Sequence, residues 1–185
     1  GLSLSTFEVY KEQVFDLLGN EEDNPLKINE KKGGGFQVEG LTTHSIQSWS
    51  DFKQCILKAE ARRHFAQTYL FHQSSRSHFG VQVWVGQPFG RPSGVLNFFD
   101  LAGCEKFDPY KDASQNTMGE DTSPCKAAKR ERLIEGQFIN KSVFYLDQVL
   151  KRLAEGKGHI PFRSSAITKL LKNSLTGISF TSNHH

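Results

Sequence analysis

The chain is poor in cysteine. Cys55, Cys104 and Cys125 make an odd number, and no C-x-x-C joins any two of them. A disulfide framework and the usual zinc spacing are thereby excluded, and a reducing, intracellular setting is the expectation. Long apolar runs are missing too: the longest are a few residues, far short of the roughly 20 that a membrane helix needs. No charged leader followed by an apolar stretch opens the chain, so neither a membrane span nor secretion is expected. Low-complexity tracts and fixed-period repeats are absent. So is the phosphate cradle G-x-x-x-x-G-K-[ST]: Gly156-Lys157-Gly158 has no hydroxyl residue after its lysine, and Gly33-Gly34-Gly35 runs into Phe36. No N-K-x-D occurs, which argues against a guanine-reading switch.

What is present describes one folded domain. The 185 residues are 37% hydrophobic, 11% aromatic and 23% charged, enough to build a single core and too apolar for disorder. A net charge of +3 hides an uneven distribution. Between Lys151 and Lys172 stand Lys151, Arg152, Lys157, Arg163, Lys169 and Lys172 against the single acid Glu155. Such an excess marks a surface that meets an acidic partner, or else a solvated helix face.

Alternation of Leu4, Phe7 and Val9 predicts a strand over Ser3 to Tyr10, already under way near Gly1, so the start reads as the middle of something larger. An apolar continuation, Val14 to Leu18, precedes a polar turn. Leu26 to Ile28 and Phe36 to Val38 read as strands around a glycine-rich hairpin loop, with Leu41 to Ile46 as a third. Ser48 to Asp51 is a capping-box pattern opening a helix with Trp49, Phe52, Ile56, Ala59 and Arg63 on its stripe. Ala66 to His78 reads as loop. Phe79, Val81, Val83 and Val85 alternate, and Val95 to Leu101 is nearly continuous, as in a strand buried on both faces; two adjacent central strands are expected. The polar segment 106–126 reads as a long flexible loop. A long helix from about Ala127 to Leu153 follows, its stripe formed by Leu133, Phe138, Val143, Leu146, Val149, Leu150 and Leu153. A last helix over Ser164 to Leu175 ends at Gly177. The expected class is α/β.

Two loops carry the chemistry. Asp100-Leu101-Ala102-Gly103 is a D-x-x-G directly after a buried strand. An aspartate there can reach a magnesium ion through water, and the glycine lets a bare N–H approach a γ-phosphate. Ser74-Ser75-Arg76-Ser77-His78, before the preceding strand, adds hydroxyls and a guanidinium, and Glu105 follows the second loop by two residues. Each loop alone could be an ordinary turn; their joint order is the signal.

With these residues in hand the chain resembles the second half of a kinesin motor domain. Phe7 to Tyr10 with Glu12, Asp16, Leu17 and Leu18 is similar to F-x-E-x-Y-N-E-x-x-x-D-L-L. Gln73 to His78 resembles the first switch, and Asp100 to Glu105 the second, D-L-A-G-S-E. Ile139-Asn140-Lys141-Ser142 matches I-N-K-S of the relay helix. His159 to Ser165 with Thr168, Leu170, Leu171, Ser174 and Leu175 resembles H-I-P-Y-R-D-S-K-L-T-R-L-L-x-D-S-L. Departures are Phe71 for the asparagine heading the first switch, Cys104 for the serine of the second, and Ser164 and Ala166 for the aspartate and lysine after P-Y-R.

The resemblance implies a three-layer kinesin-like P-loop NTPase architecture, a partial domain over 1–185 with a central mixed sheet flanked by helices. It implies ATP or ADP with Mg²⁺ as cofactors. Ser74, Ser75 and Asp100 would serve the metal, Asp100 through water. Ser74, Ser75 and Gly103 would meet the γ-phosphate region, and Arg76 would latch onto Glu105. Lys141, Lys151, Arg152, His159, Arg163, Lys169 and Lys172 would face the microtubule. Tubulin is the implied partner, with a dimer formed through a stalk outside these residues, without nucleic acid or membrane, in the cytoplasm on the cytoskeleton. A chain without its own phosphate cradle is expected not to turn over ATP alone. The alternative is a kinesin-like microtubule binder or scaffold that does not hydrolyse ATP.

Overall fold

The computed structural model describes residues 1–19, 24–63, 76–86, 92–103, 123–156 and 158–177, with 92–93 and 123–132 described as backbone only. Its centre is β1 (Leu2–Tyr10), whose residues Leu4 to Val9 are all buried. Leu4 packs against one face, while Phe7 and Val9 point to the other. The apolar positions therefore do not mark one face; both are covered, as a central strand requires.

One edge of β1 pairs with β6 (His78–Gly86), and β6 pairs with β7 (Pro92–Asp100). The other edge is shared by β2 (Gln13–Asp16), against Phe7 to Tyr10, and β5 (His44–Ile46), against Leu2 to Leu4. All ladders between described strands are antiparallel. The predicted third strand thus joins the main sheet, while β3 (Ile28–Glu30) and β4 (Phe36–Val38) form a separate hairpin.

The expectation that β7 is a central strand buried on both faces is corrected. Among the described residues it ends the path β2-β1-β6-β7, and Leu96 and Phe98 are 56% and 58% exposed. A continuous apolar run reports hydrophobicity, not neighbours, so it could not distinguish these positions.

Helix α1 (Trp49–Arg62) covers one face, packing Ala59, Phe52, Cys55 and Ile56 on Leu4, Phe79 and Val81. Its capping box forms as predicted: Ser48 Oγ accepts from Asp51 N, and Asp51 accepts from the amides of Gln47 and Ser48. Those amides hold the Asp51 carboxyl below its ordinary range. Trp49, counted on the apolar stripe, instead lies exposed and stacked on Phe52. Basic side chains of α1 secure the turn after β2, where Lys58 and Arg62 donate to the carbonyls of Leu18 and Gly19.

The opposite face is covered by α2 (Ser123–Glu155) and α3 (Ala166–Thr176), giving three layers. Helix α2 begins at Ser123, so Ser123 to Lys126 are helical and not loop; the rest of the segment expected as loop, like the 66–75 loop, lies outside the described residues. Pro124 sits in the first turn, where a missing N–H leaves no bond unmade. The buried line of α2 runs through Glu135, Ile139, Ser142 and Val149, while Leu150, expected on it, is exposed. Helix α3 ends at Gly177, whose φ of 64° is the left-handed cap anticipated for that glycine. Among the described residues no helix is long and apolar enough to cross a membrane.

Candidate functional site

The register of β6 on β7 sets Phe79 opposite Asp100. The residues that lead into β6, Arg76 and Ser77, and those that leave β7, Leu101 to Gly103, therefore emerge at the same end of the sheet. Two loops separated in sequence become neighbours through one ladder.

Arg63, the C-cap of α1, reaches into the same place. Its guanidinium lies 4.8 Å over the Phe79 ring, donates to the Ser77 carbonyl at 3.3 Å and approaches Asp100 Oδ2 at 3.4 Å. The Arg63 side chain is 9% exposed and that of Asp100 64%, so a buried cation is aimed at an open carboxylate. The sequence reading treated Arg63 only as the end of a helical stripe. Nothing in local spacing marks it, because its three partners come from β6, β7 and the loop between α1 and β6.

His78, the first residue of β6, is buried. Its Nδ1 accepts from Ala102 N at 3.1 Å, and its Nε2 lies 2.7 Å from Ser142 Oγ on α2. Burial holds this imidazole at a pKa of about 4 instead of 6.5, against the opposing pull of the Asp100 carboxylate. Beside it, Arg76, Glu12 and Glu135 line a cavity of about 10 Å³, too small for more than one water. There Tyr10 Oη donates to Glu135 Oε1 at 2.5 Å, and burial, then that bond, raises the phenol pKa.

Among the predicted site residues, Arg76, Asp100 and Gly103 meet at this sheet end. Ser74, Ser75 and Glu105 lie outside the described residues, as do Phe71 and Cys104. Gly103 is exposed, and among the described residues beyond its chain neighbours no atom lies within 4 Å of the position a Cβ would take. Among the described residues no group of three His, Cys, Asp or Glu side chains could hold a metal.

The basic segment is less unbalanced in space than along the chain. Lys151 pairs with Asp147 at 2.7 Å, Arg152 with Glu155 at 3.9 Å, and Arg163 and Lys172 with Glu30 at 2.5 and 3.9 Å. Two of these acids, Asp147 and Glu30, lie outside the segment that was counted. Lys172 also lies over the Phe36 and Phe162 rings. Among the described residues, Lys141, His159 and Lys169 have no acidic partner within ion-pair reach. Lys141 and His159 are exposed and Lys169 is half-buried.

The kinesin motor domain model matches residues 1–182. The kinesin-like protein KIN-7G of Arabidopsis thaliana is 35% identical over 98% of the chain, which spans 16% of that protein. Kinesin-related protein 11 of Dictyostelium discoideum is 37% identical over 96% of the chain, which spans 26% of it. Among solved structures, segment 391–755 of KIF14, with ADP and in complex with a microtubule, superposes with a TM-score of 0.73 at 32% identity, over 96% of this chain and 50% of that one. The chain thus spans about half of the solved domain and a smaller share of the curated relatives. With the family model running over nearly every residue and relatives of this identity beside it, the chain belongs to the kinesin motor domain family.

Proposed function

We propose that these residues form the nucleotide-sensing switch loops and the microtubule-binding surface of an ATP-driven kinesin-like motor. The observation that carries this reading is the convergence at one sheet end. Arg76 leads in from the first switch, Asp100 to Gly103 lead out as the second, and α2 is joined to both through His78. Bound ATP with Mg²⁺ would supply the γ-phosphate whose presence the loops read. Asp100 is the group to reach the metal through water and the Gly103 N–H the one to face the phosphate, with Ser74 and Ser75 beside them and Arg76 latched to Glu105. A desolvated Arg–carboxylate latch is worth on the order of 1.5–3 kcal/mol, enough to bias a two-state loop.

The microtubule-facing side is assigned to α2, α3 and the segment between them. Lys141 and Lys169 lead it, because their charge is not already matched within the fold. His159, likewise without an acidic partner among the described residues, belongs with them, while Lys151, Arg152, Arg163 and Lys172 would have to share their pairs with Asp147, Glu155 and Glu30 with an acidic partner. Co-sedimentation with microtubules at rising salt tests this. Binding should fall steeply, since exposed charges are screened within about 8 Å at physiological ionic strength. Lys141→Glu with Lys169→Glu should weaken binding more than reversal at Arg163; unchanged binding by the double variant removes the assignment.

Phe71, where the first switch of the family opens on asparagine, supports the second reading, a microtubule binder or scaffold that does not hydrolyse ATP. Steady-state ATPase measurement separates the two. No turnover is expected from the 185 residues alone, and microtubule-stimulated turnover by them would overturn that expectation.

A further inference from the structure

His78 stands where three parts of the molecule meet. Its backbone is fixed in the sheet, paired with Val9 of β1. One ring nitrogen holds the amide of Ala102, inside the second switch loop, and the other holds Ser142 on the long helix. A backbone amide can only donate, so Nδ1 must be the bare acceptor, and the neutral ring carries its proton on Nε2. That N–H donates to Ser142 Oγ, and the Ser142 hydroxyl in turn donates to the Ile139 carbonyl at 2.8 Å. The three hydrogen bonds that link Ala102, His78, Ser142 and Ile139 therefore run in one direction. An imidazolium could not accept from Ala102, and burial disfavours that charged form.

The ring is shared, so its two bonds are not independent. Its orientation is held from both sides. If α2 shifts enough to withdraw Ser142, the ring loses the partner that orients it and Ala102 loses a well-placed acceptor. Ala102 is buried and lies between Asp100 and Gly103, so the order of the second switch turn depends on the helix position through one side chain. We propose that His78, as the Nε2–H tautomer, is a positioning residue that couples the Asp100–Gly103 turn to the axial placement of α2. This deepens the motor reading and rests on it for the meaning of the two ends; the coupling itself requires neither nucleotide nor microtubule to be observed.

The test is therefore made on the protein without either. Nitrogen-15 NMR of the imidazole should show a protonated Nε2 and a bare Nδ1 at pH 7. Ser142→Ala, remote from Ala102 in the chain, should speed exchange of the Ala102 amide by about two- to tenfold, the worth of one net hydrogen bond. Amides of the β1–β6 ladder should be unmoved. In a His78→Asn background, which keeps an acceptor near Ala102 but cannot reach Ser142, Ser142→Ala should have no effect on Ala102. A proton on Nδ1, or an Ala102 exchange rate indifferent to Ser142→Ala with His78 intact, overturns the proposal, and these two measurements decide it without the His78 variant. Loss of microtubule binding in the co-sedimentation assay would strike the proposed function and leave this coupling standing.

Discussion

Gly80→Ala tests how the core supports the Asp100–Gly103 turn, the proposed second switch. Gly80 lies in β6 opposite Phe7 of β1 on one side and Phe99 of β7 on the other. The two rings lean toward each other over it, their centroids 5.8 Å apart and their planes at 69°. A Cβ on Gly80 would stand 2.4, 2.5 and 3.0 Å from three atoms of the Phe7 ring. Ordinary contact begins near 3.4 Å, so the ring must retreat by about 1 Å. It has nowhere to go, because Phe7 is fully buried among Val9, Val14, Ala166, Ile167 and Leu170. Overpacking costs about 1–3 kcal/mol, and disturbing the edge-to-face pair about 0.5–1.5 more. Restricting the unfolded chain returns about 0.4–1. A net loss of about 0.5–4 kcal/mol is expected, read as a lower urea midpoint with an unchanged slope and a Tm lower by roughly 1–16 °C. Phe7→Leu should relieve the clash, so the double variant should cost clearly less than the sum of the singles. A neutral or stabilising Gly80→Ala, or strict additivity with Phe7→Leu, would refute the reasoning. Since Phe99 directly precedes Asp100, the same substitution should also broaden NMR signals at Leu101 to Gly103.

Acid should destabilise the protein through His78. The folded state keeps the imidazole neutral down to a pKa of about 4, whereas the unfolded chain takes up its proton near 6.5. Stability is then full above that pH and is lost as pH falls toward 4, by up to about 3 kcal/mol. Unfolding midpoints taken from pH 7 to 4.5 should slope downward in the wild type and flatten in His78→Asn; equal slopes would remove His78 as the cause. Ser165→Ala should lower stability by about 1–2 kcal/mol, since Ser165 Oγ accepts from Thr168 N in a buried capping box at the start of α3; an unchanged denaturation midpoint would show that the cap carries no weight. Replacing the exposed Leu96 and Phe98 together by threonine should cost under about 1 kcal/mol and reduce self-association, because an open apolar strand face invites it; light scattering at rising concentration checks this, and undiminished association would place the contact elsewhere.

Which of these features could be read from the chain depends on the range of the interaction. The capping box of α1, the glycine stop of α3 and the β3–β4 hairpin are local, decided within a few residues, and the sequence pattern carries them. Burial on β1 and β7 is not local. Leu4, Phe7 and Val9 looked like one apolar face and belong to two, while Leu96 and Phe98 looked buried and are open, because only the neighbouring layers decide which side of a strand is covered. The α2 stripe failed at Leu150 for a related reason: the helix meets the sheet through Glu135, Ile139 and Ser142, so two of its inward positions are polar, and each has its own hydrogen bond.

The same distinction separates the motifs from the links between them. Serine, arginine, aspartate and glycine at the proposed switch loops are named by type and order, since the chemistry of a phosphate and its metal would demand those groups. Arg63 and His78 are demanded by geometry instead. Arg63 matters because the end of α1 lies over Phe79, and Phe79 lies opposite Asp100; a shift of one residue in the β6–β7 register would turn the facing side chain to the other side of the sheet. His78 matters because Ser142 falls on the buried line of α2 at the height of Ala102. Charge follows the same rule, for Glu30 neutralises Arg163 across more than a hundred residues, and a count along the chain does not include it. A switch must transmit as well as sense. In this chain the proposed sensing groups, and His78 and Ser142 with them, stand in motifs legible along the sequence, while the contacts that join them, and Arg63, are set by the register of one strand pair and the placement of α2.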